Sequence, residues 1–276
     1  MPADASAESF DASFLAHPAF EIFDASVRER LTQERRIPEP RELRSFLPGA
    51  SEPWFDFESQ DTARVERAGG FDRFIAEHAR IPTRVGSFHD LFGGLIWLHF
   101  PRLKTALHRL QLAAEGARRG AREHAVTHFD ESGVIVLSAD ERVFHALGEL
   151  DWPGLFWQRR EELRASTRFL GFGHGLLDAL RTPHPKLMGM ALLVHVRGST
   201  LKLAPPALRA LLDAELAERL PAFLTEPARL QPLPVLGVPD WAPAQCAEFY
   251  QNEGYFRRTR QRLRARPKTA FLELSR

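Results

Sequence analysis

The sequence predicts a mixed α/β fold: a helix-rich single domain with a small sheet. Three observations predict it. Apolar residues recur at helical spacing through 71–114 and 205–220, which is the pattern of amphipathic helices. Short runs near 124–137, 167–171 and 190–196 have strand character and turn-forming neighbours. A glycine-rich junction, Gly171-Phe172-Gly173-His174-Gly175, leads from one of these runs into a helix. With 276 residues the chain lies between one and two typical domains. It carries neither an internal repeat nor a Pro/Gly/Ser linker, so the expected organisation is a helical or irregular lead-in over 1–68, an α/β core over 69–256 and a basic tail over 257–276.

In chain order, the lead-in has short helical pieces at 25–31 and 41–46, broken by Pro38, Pro40, Pro48 and Pro53, with Phe10, Phe14, Phe20 and Phe23 as anchors on the core. Phe71, Phe74, Ile75 and His78 mark a helix that closes by Pro82. A second helix runs over 88–100, and Pro101 opens a third, proline being favoured at the first helical position. Its apolar face is Leu103, Ala106, Leu107, Leu110 and Ala114. The stretches flanking Asp130-Glu131-Ser132-Gly133 read as a hairpin near 124–137, because that tetrad has turn chemistry ending in glycine. Helices at 141–150 and 155–164 precede a short strand near 167–171; a helix at 176–180 precedes a strand near 190–196. Pro205 and Pro206 open a helix bearing Leu208, Leu211, Leu212, Leu216 and Leu220. The last fifty residues read as irregular around Trp241.

Charge and cysteine content exclude several classes. There are 37 basic and 36 acidic side chains, a net of +1, so the chain does not bind nucleic acid through bulk charge. The single Cys246 excludes a disulfide scaffold, a Cys-type zinc site and an iron–sulfur cluster. Flanked by Trp241 and Pro243, it reads as a buried, inert thiol. The first residues do not read as a secretory leader and no run reads as membrane-spanning, so the expected location is cytoplasmic. Neither a Gly-x-Ser-x-Gly elbow nor a P-loop occurs.

Candidate chemistry concentrates in three places. In Phe88-His89-Asp90-Leu91-Phe92, His89 is a polar group among apolar ones, either a buried hydrogen-bonded imidazole or a functional one; Ser87 and Asp90 also fit a helix cap. Asp130 and Glu131 offer two carboxylates for metal binding or acid/base work, although turn chemistry accounts for Asp130 as well. In the glycine-rich junction, Gly171 and Gly173 either expose backbone N–H groups to an anion or let a helix pack closely, and His174 is a ligand, an acid/base group or a cap. His124 and His128 would chelate a metal on a helix, but the strand reading holds them about 13 Å apart, at ~3.3 Å per residue. Basic residues cluster on the third helix (Arg102, Lys104, His108, Arg109, Arg118, Arg119, Arg122) and over 257–268, as solvated faces or as phosphate contacts.

Ile81-Pro82-Thr83-Arg84, Phe88-His89-Asp90-Leu91-Phe92 running on to Trp97, and Phe100-Pro101-Arg102 with Lys104 resemble a proteobacterial family catalogued as domain of unknown function 3025. Phe129-Asp130-Glu131-Ser132-Gly133, Phe172-Gly173-His174 and Leu233-Pro234-Val235-Leu236-Gly237 fit the same family. The resemblance covers roughly residues 54–256. It departs at Gly93, where the family pattern has Asn, and at Phe88, where it has Trp; the first removes a polar group from the face that carries His89. The resemblance implies a single bacterial domain and supplies no mechanism.

The expected function is a metal- or anion-dependent, hydrolase-like enzyme for an acidic or phosphorylated small molecule. His89, His174 and Glu131 are the expected catalytic groups. His89, Asp130 and His174 are the expected ligands of a divalent metal, and Arg84, Arg102, Lys104, Gly171 and Gly173 the expected substrate contacts. The alternative is a non-enzymatic binder engaging nucleic acid or an acidic partner through the basic helix and 257–268. A third reading is an assembly protein using Trp54, Trp241 and Phe249 at an interface.

Overall fold

A computed structural model of the chain describes residues 10–46, 53–114, 120–257 and 269–274. Its centre is a five-stranded mixed sheet of order β4-β3-β5-β6, with β7 also paired to β5. β3 (Gly133–Ser138) is buried along its whole length, as expected of a strand covered on both faces. It runs parallel to β5 (Met188–His195) and antiparallel to β4 (Thr167–Gly171). β6 (Gln231–Pro234) and β7 (Leu272–Glu273) share the far side of β5. A second, two-stranded parallel sheet pairs β1 (Asp56–Ser59) with β2 (Arg80–Thr83).

Eleven α-helices among the described residues cover these sheets. α1 (Ala25–Glu34) and α2 (Pro40–Leu43) belong to the lead-in, and α3 (Thr62–Arg67) and α4 (Phe71–His78) connect β1 to β2. α5 (Phe88–His99) is buried on nearly every side, which is why its sequence is apolar all round rather than along one stripe. The Ser87 side chain caps it by accepting from the Asp90 N–H at 3.2 Å. α6 (Pro101–Ala114) follows directly. Buried Asp213 caps it from outside, accepting from the Leu103 and Arg102 N–H groups at 2.8 and 3.3 Å. Asp213 belongs to α11 (Pro205–Phe223), which packs along α6. α7 (Ala121–Ser132), α8 (Glu141–Glu149), α9 (Arg160–Ser166) and α10 (His174–Ala179) complete the set, with a π-helical turn at Pro153–Gln158 before α9.

The helix-rich fold with a small mixed sheet agrees with the sequence, and the strands near 167–171 and 190–196 fall on β4 and β5. The hairpin near 124–137 does not form. Its first arm is α7, and only 133–138 is strand, paired to β4 and β5 instead. Ala125, Val126, Phe129 and Asp130 are buried at helical spacing. Tertiary burial of that stripe overrides the weak strand preference of Val126 and Thr127. Asp130, Glu131 and Ser132 are therefore the last turn of a helix rather than a loop. His124 and His128 stand four apart on that helix but are exposed, and among the described residues no third metal-ligating group joins them. Cys246 is exposed, against the expected burial.

Phe10, Phe14, Phe20 and Phe23 of the lead-in are buried in the same core as the sheet, and so is Leu274 after β7. Of the basic run at 257–268, all but Arg257 lies outside the described residues. Among the described residues no helix is long and apolar enough to cross a membrane.

Candidate functional site

A cavity of about 310 Å³ opens where β2, α4, α5, α6, α7 and α10 meet. α5 starts immediately after β2, so Arg84, His89, Asp90 and Gly93 reach the cavity from one continuous segment. The last turn of α7 brings Asp130 and Glu131, and the first residue of α10 is His174. Ring centroids of His89 and His174 are 4.4 Å apart. His174 Nε2 lies 3.4 Å from Glu131 Oε1. One ligand atom from each of His89, Glu131 and His174 lies within 4.8 Å of the other two. A small inward shift would bring them to the ~3.4 Å separations around an ion with ~2.1 Å bonds.

The tautomer of His174 follows from its neighbours. Nδ1–H donates to the Asp130 carbonyl at 2.9 Å, since a carbonyl can only accept. Nε2 then turns its lone pair toward the Glu131 carboxylate, and two lone pairs repel unless a proton or a cation lies between them. Burial pulls the His174 pKa down, but the hydrogen bond to Glu131 and the Asp130 charge outweigh it and hold it above its ordinary value. His89 goes the other way: burial and the neighbouring His174 charge lower it. The bond to His174 holds Glu131 below the usual carboxylate range. A histidine fixed through one nitrogen on a backbone carbonyl, with the other turned toward a carboxylate that could share a cation, is the arrangement of metal-ligating histidines.

Beneath this trio is a buried ion pair, Lys104 Nζ to Asp130 Oδ1 at 2.5 Å. Burial raises the Asp130 pKa, but Lys104 holds it below the usual range. Asp130 is therefore committed to Lys104, and the third group at metal-ligand spacing beside the two histidines is Glu131. This differs from the ligand set His89, Asp130 and His174 expected from sequence. Arg84 grips Asp90 with Nε and Nη2 at 3.1 and 2.7 Å. Asp90 also accepts from the Arg84 backbone N–H at 2.6 Å. The arginine stands at the exposed rim.

Three expected substrate contacts lie elsewhere. Arg102 does not line the cavity; its backbone N–H is spent on Asp213. Gly171 and Gly173 are packing glycines. A Cβ on Gly173 would come within 2.3 Å of the Gly133 nitrogen, and one on Gly171 within 3.0 Å of Leu177. They let α10 sit against the start of β3 and the lead-in, and they do not form an anion cradle. The assembly reading also loses a member, because Trp241 is buried.

Sequence reasoning missed His108 and Asp72 as site residues. His108 Nδ1–H donates to Asp72 Oδ1 at 2.9 Å, and its buried Nε2 has no hydrogen-bond partner. Both residues line the cavity. A signal was present: Lys104, His108 and Gln111 form a polar stripe at i, i+4 and i+7 on one face of α6. Lys104 and His108 are thus turned inward against carboxylates, which breaks up the basic face proposed for nucleic acid.

Fold and site together define a mixed α/β protein with a cavity that gathers two histidines and a glutamate at metal-ligand spacing. The chain belongs to the family described as "Protein of unknown function (DUF3025)", which it matches over residues 55–260. That span contains every cavity-lining residue discussed above. No curated protein and no solved structure matches the chain.

Proposed function

We propose that this chain is a divalent-metal-dependent, hydrolase-like enzyme for a small acidic or phosphorylated substrate. The observation that carries the reading is the convergence of His89, Glu131 and His174, from three separate helices, on one point of the cavity. Charge supports it. The cavity is lined by four acids (Asp72, Asp90, Asp130, Glu131) and two bases (Arg84, Lys104), a net of −2 with neutral histidines. A dication balances that charge, whereas a free anion would be repelled, so the anion-dependent variant of the expectation is the weaker one. Two His and one Glu suit zinc and leave a coordination position open. A metal held there would acidify a bound water and polarise a substrate oxyanion.

The chain's own groups have separable tasks in this reading. Arg84 uses Nε and Nη2 on Asp90 and keeps Nη1 for a substrate oxyanion at the rim. Asp72 fixes the ring of His108, whose unpartnered Nε2 is then an acceptor for a substrate hydroxyl. Lys104 keeps Asp130 in place under His174 and so holds the carbonyl that orients it. A cavity of this size suits a small molecule, being at the low end of ligand pockets.

The test is elemental analysis of purified protein and zinc titration calorimetry on wild type, His89→Ala and His174→Ala. One equivalent of metal in the wild type and none in either variant is the expected result. Metal-loaded protein would then hydrolyse an activated phosphate or carboxylate ester, and Glu131→Gln would abolish this. A metal-free wild type that ignores added zinc, with variants that only melt earlier, would make both histidines structural and sink the reading.

A further inference from the structure

A second cavity, of about 710 Å³, lies apart from the candidate metal centre and shares no lining residue with it. It is bounded by the 3-10 turn Pro18–Ile22, the start of α1, the edge strand β4, the start of α11 and the loop after β6. Ile22, Phe23, Leu170, Leu208, Val238 and Trp241 give it apolar walls. Into these walls the sequence places four arginines (Arg28, Arg164, Arg168, Arg209) against two acids, Glu21 and Asp24. The lining charge is +2, opposite in sign to that of the metal cavity.

The arginines are not equivalent. Arg164 is held by Asp240 and Glu161. Arg209 is 6% exposed, and its Nη2 pairs with Asp24. Its Nη1 is buried with no hydrogen-bond partner. Burial lowers the Arg209 pKa, yet an arginine stays charged at any ordinary pH. Arg28 contributes a second buried, unpartnered guanidinium nitrogen, Nε, and makes no ion pair among the described residues. A buried charge-bearing donor without an acceptor is costly, and a bound ion or ligand is one of the ways such a group is completed.

We propose that this cavity binds an amphipathic monocarboxylate, its carboxylate accepting from Arg209 and Arg28 and its apolar body lying along Phe23, Leu208 and Trp241. Two observations bear on the ligand class independently. The orphaned guanidinium nitrogens call for an oxyanion, since guanidinium geometry matches a carboxylate. The volume and the apolar walls call for a ligand with a substantial hydrocarbon or aromatic body. A polyphosphate or sugar phosphate would leave these walls facing polar groups, so the fit is to one charge on an apolar frame.

The experiment is calorimetric titration of the full chain with sodium decanoate below its micelle concentration, with 1-decanol at matched concentration as the uncharged probe. Arg28→Gln removes a guanidinium without breaking an ion pair. Arg209→Lys keeps a charge for Asp24 but loses the second donor. Wild type is expected to bind decanoate with one site and decanol at least tenfold more weakly, and each variant to weaken decanoate about tenfold. Circular dichroism and melting of the variants check that they fold, and Arg28→Gln carries the test if Arg209→Lys does not. No decanoate binding, equal binding of decanoate and decanol, or undiminished binding in folded Arg28→Gln would each overturn the proposal.

Discussion

Asp130 serves the site twice: its carboxylate neutralises buried Lys104, and its carbonyl fixes the tautomer of His174. An ion pair this enclosed contributes little beyond what well-packed apolar groups would, but removing one partner strands the other charge. Lys104→Met should therefore destabilise the protein by about 3–5 kcal/mol. The double variant Lys104→Met/Asp130→Asn should recover most of that loss, because no bare charge remains. Urea unfolding of both proteins measures this, and a single variant as stable as wild type would mean Asp130 is reached by water. The residues of the site were unequally legible in the sequence. His89 and His174 stand out because each is polar inside an apolar motif. Glu131 stands out as an acid that a turn does not require, and it faces the His174 imidazole. His108 was hidden among basic residues of α6, and its partner Asp72 is 36 residues away. Contacts of that range depend on how α4 and α6 pack, which no local pattern encodes.

Elements were read well where a helix or strand carries its own periodicity and badly where tertiary burial decides. α5, α6, α8 and α11 follow from spacing and proline positions. α7 does not, because β-branched residues and an Asp-Glu-Ser-Gly end resemble a strand and a turn. The junction of α7 and β3 is made by Gly133, where a Cβ would lie 2.2 Å from the Phe129 carbonyl; helix and strand therefore join with no intervening loop. β1 was not expected at all, since four residues behind a proline-broken lead-in give too short a pattern to detect. A sharper element-scale test lies in α5, where two adjacent glycines face different neighbours. A Cβ on Gly93 would meet nothing closer than His174 at 3.7 Å, an ordinary contact toward the cavity. A Cβ on Gly94 would lie 3.0 Å from Leu43 and 3.3 Å from Phe57. Gly93→Ala should thus stabilise the helix by about 1 kcal/mol. Gly94→Ala should lose about 1–3 kcal/mol through overpacking against α2 and β1. Thermal melts of the pair decide it, and variants shifting in the same direction would show that α5 is not seated against α2 as described.

The whole molecule is tied together where the lead-in meets the core, and a buried histidine makes that tie sensitive to acid. His99, in the last turn of α5, donates from Nδ1 to the Leu95 carbonyl at 2.8 Å. Its Nε2 accepts from the Asp24 N–H, the residue preceding α1, at 3.1 Å. The Asp24 carboxylate in turn pairs with Arg209 of α11. Three segments distant in sequence are thus linked through Asp24 and one neutral imidazole. Burial pushes the His99 pKa from 6.5 down to about 4, the Leu95 hydrogen bond opposing only in part. A histidine with a depressed native pKa is neutral in the fold but protonated in the unfolded chain at intermediate pH. The unfolded state therefore binds more protons between pH 6.5 and about 4, and stability rises with pH across that window. The contribution is fully present above pH 6.5 and is lost as pH falls toward 4, on the order of 3 kcal/mol in total. Depressed carboxylates such as Asp90 and Asp130 act in a separate window, since they are lost only below their unfolded values near pH 4. Denaturant unfolding at pH 7 and pH 4.5 should show this loss in the wild type. His99→Gln keeps a donor and an acceptor but cannot titrate, so it should be less stable at pH 7 and flatter with pH. If His99→Gln keeps the full pH slope, the acid sensitivity belongs to other groups and the tie at Asp24 does not depend on a neutral His99.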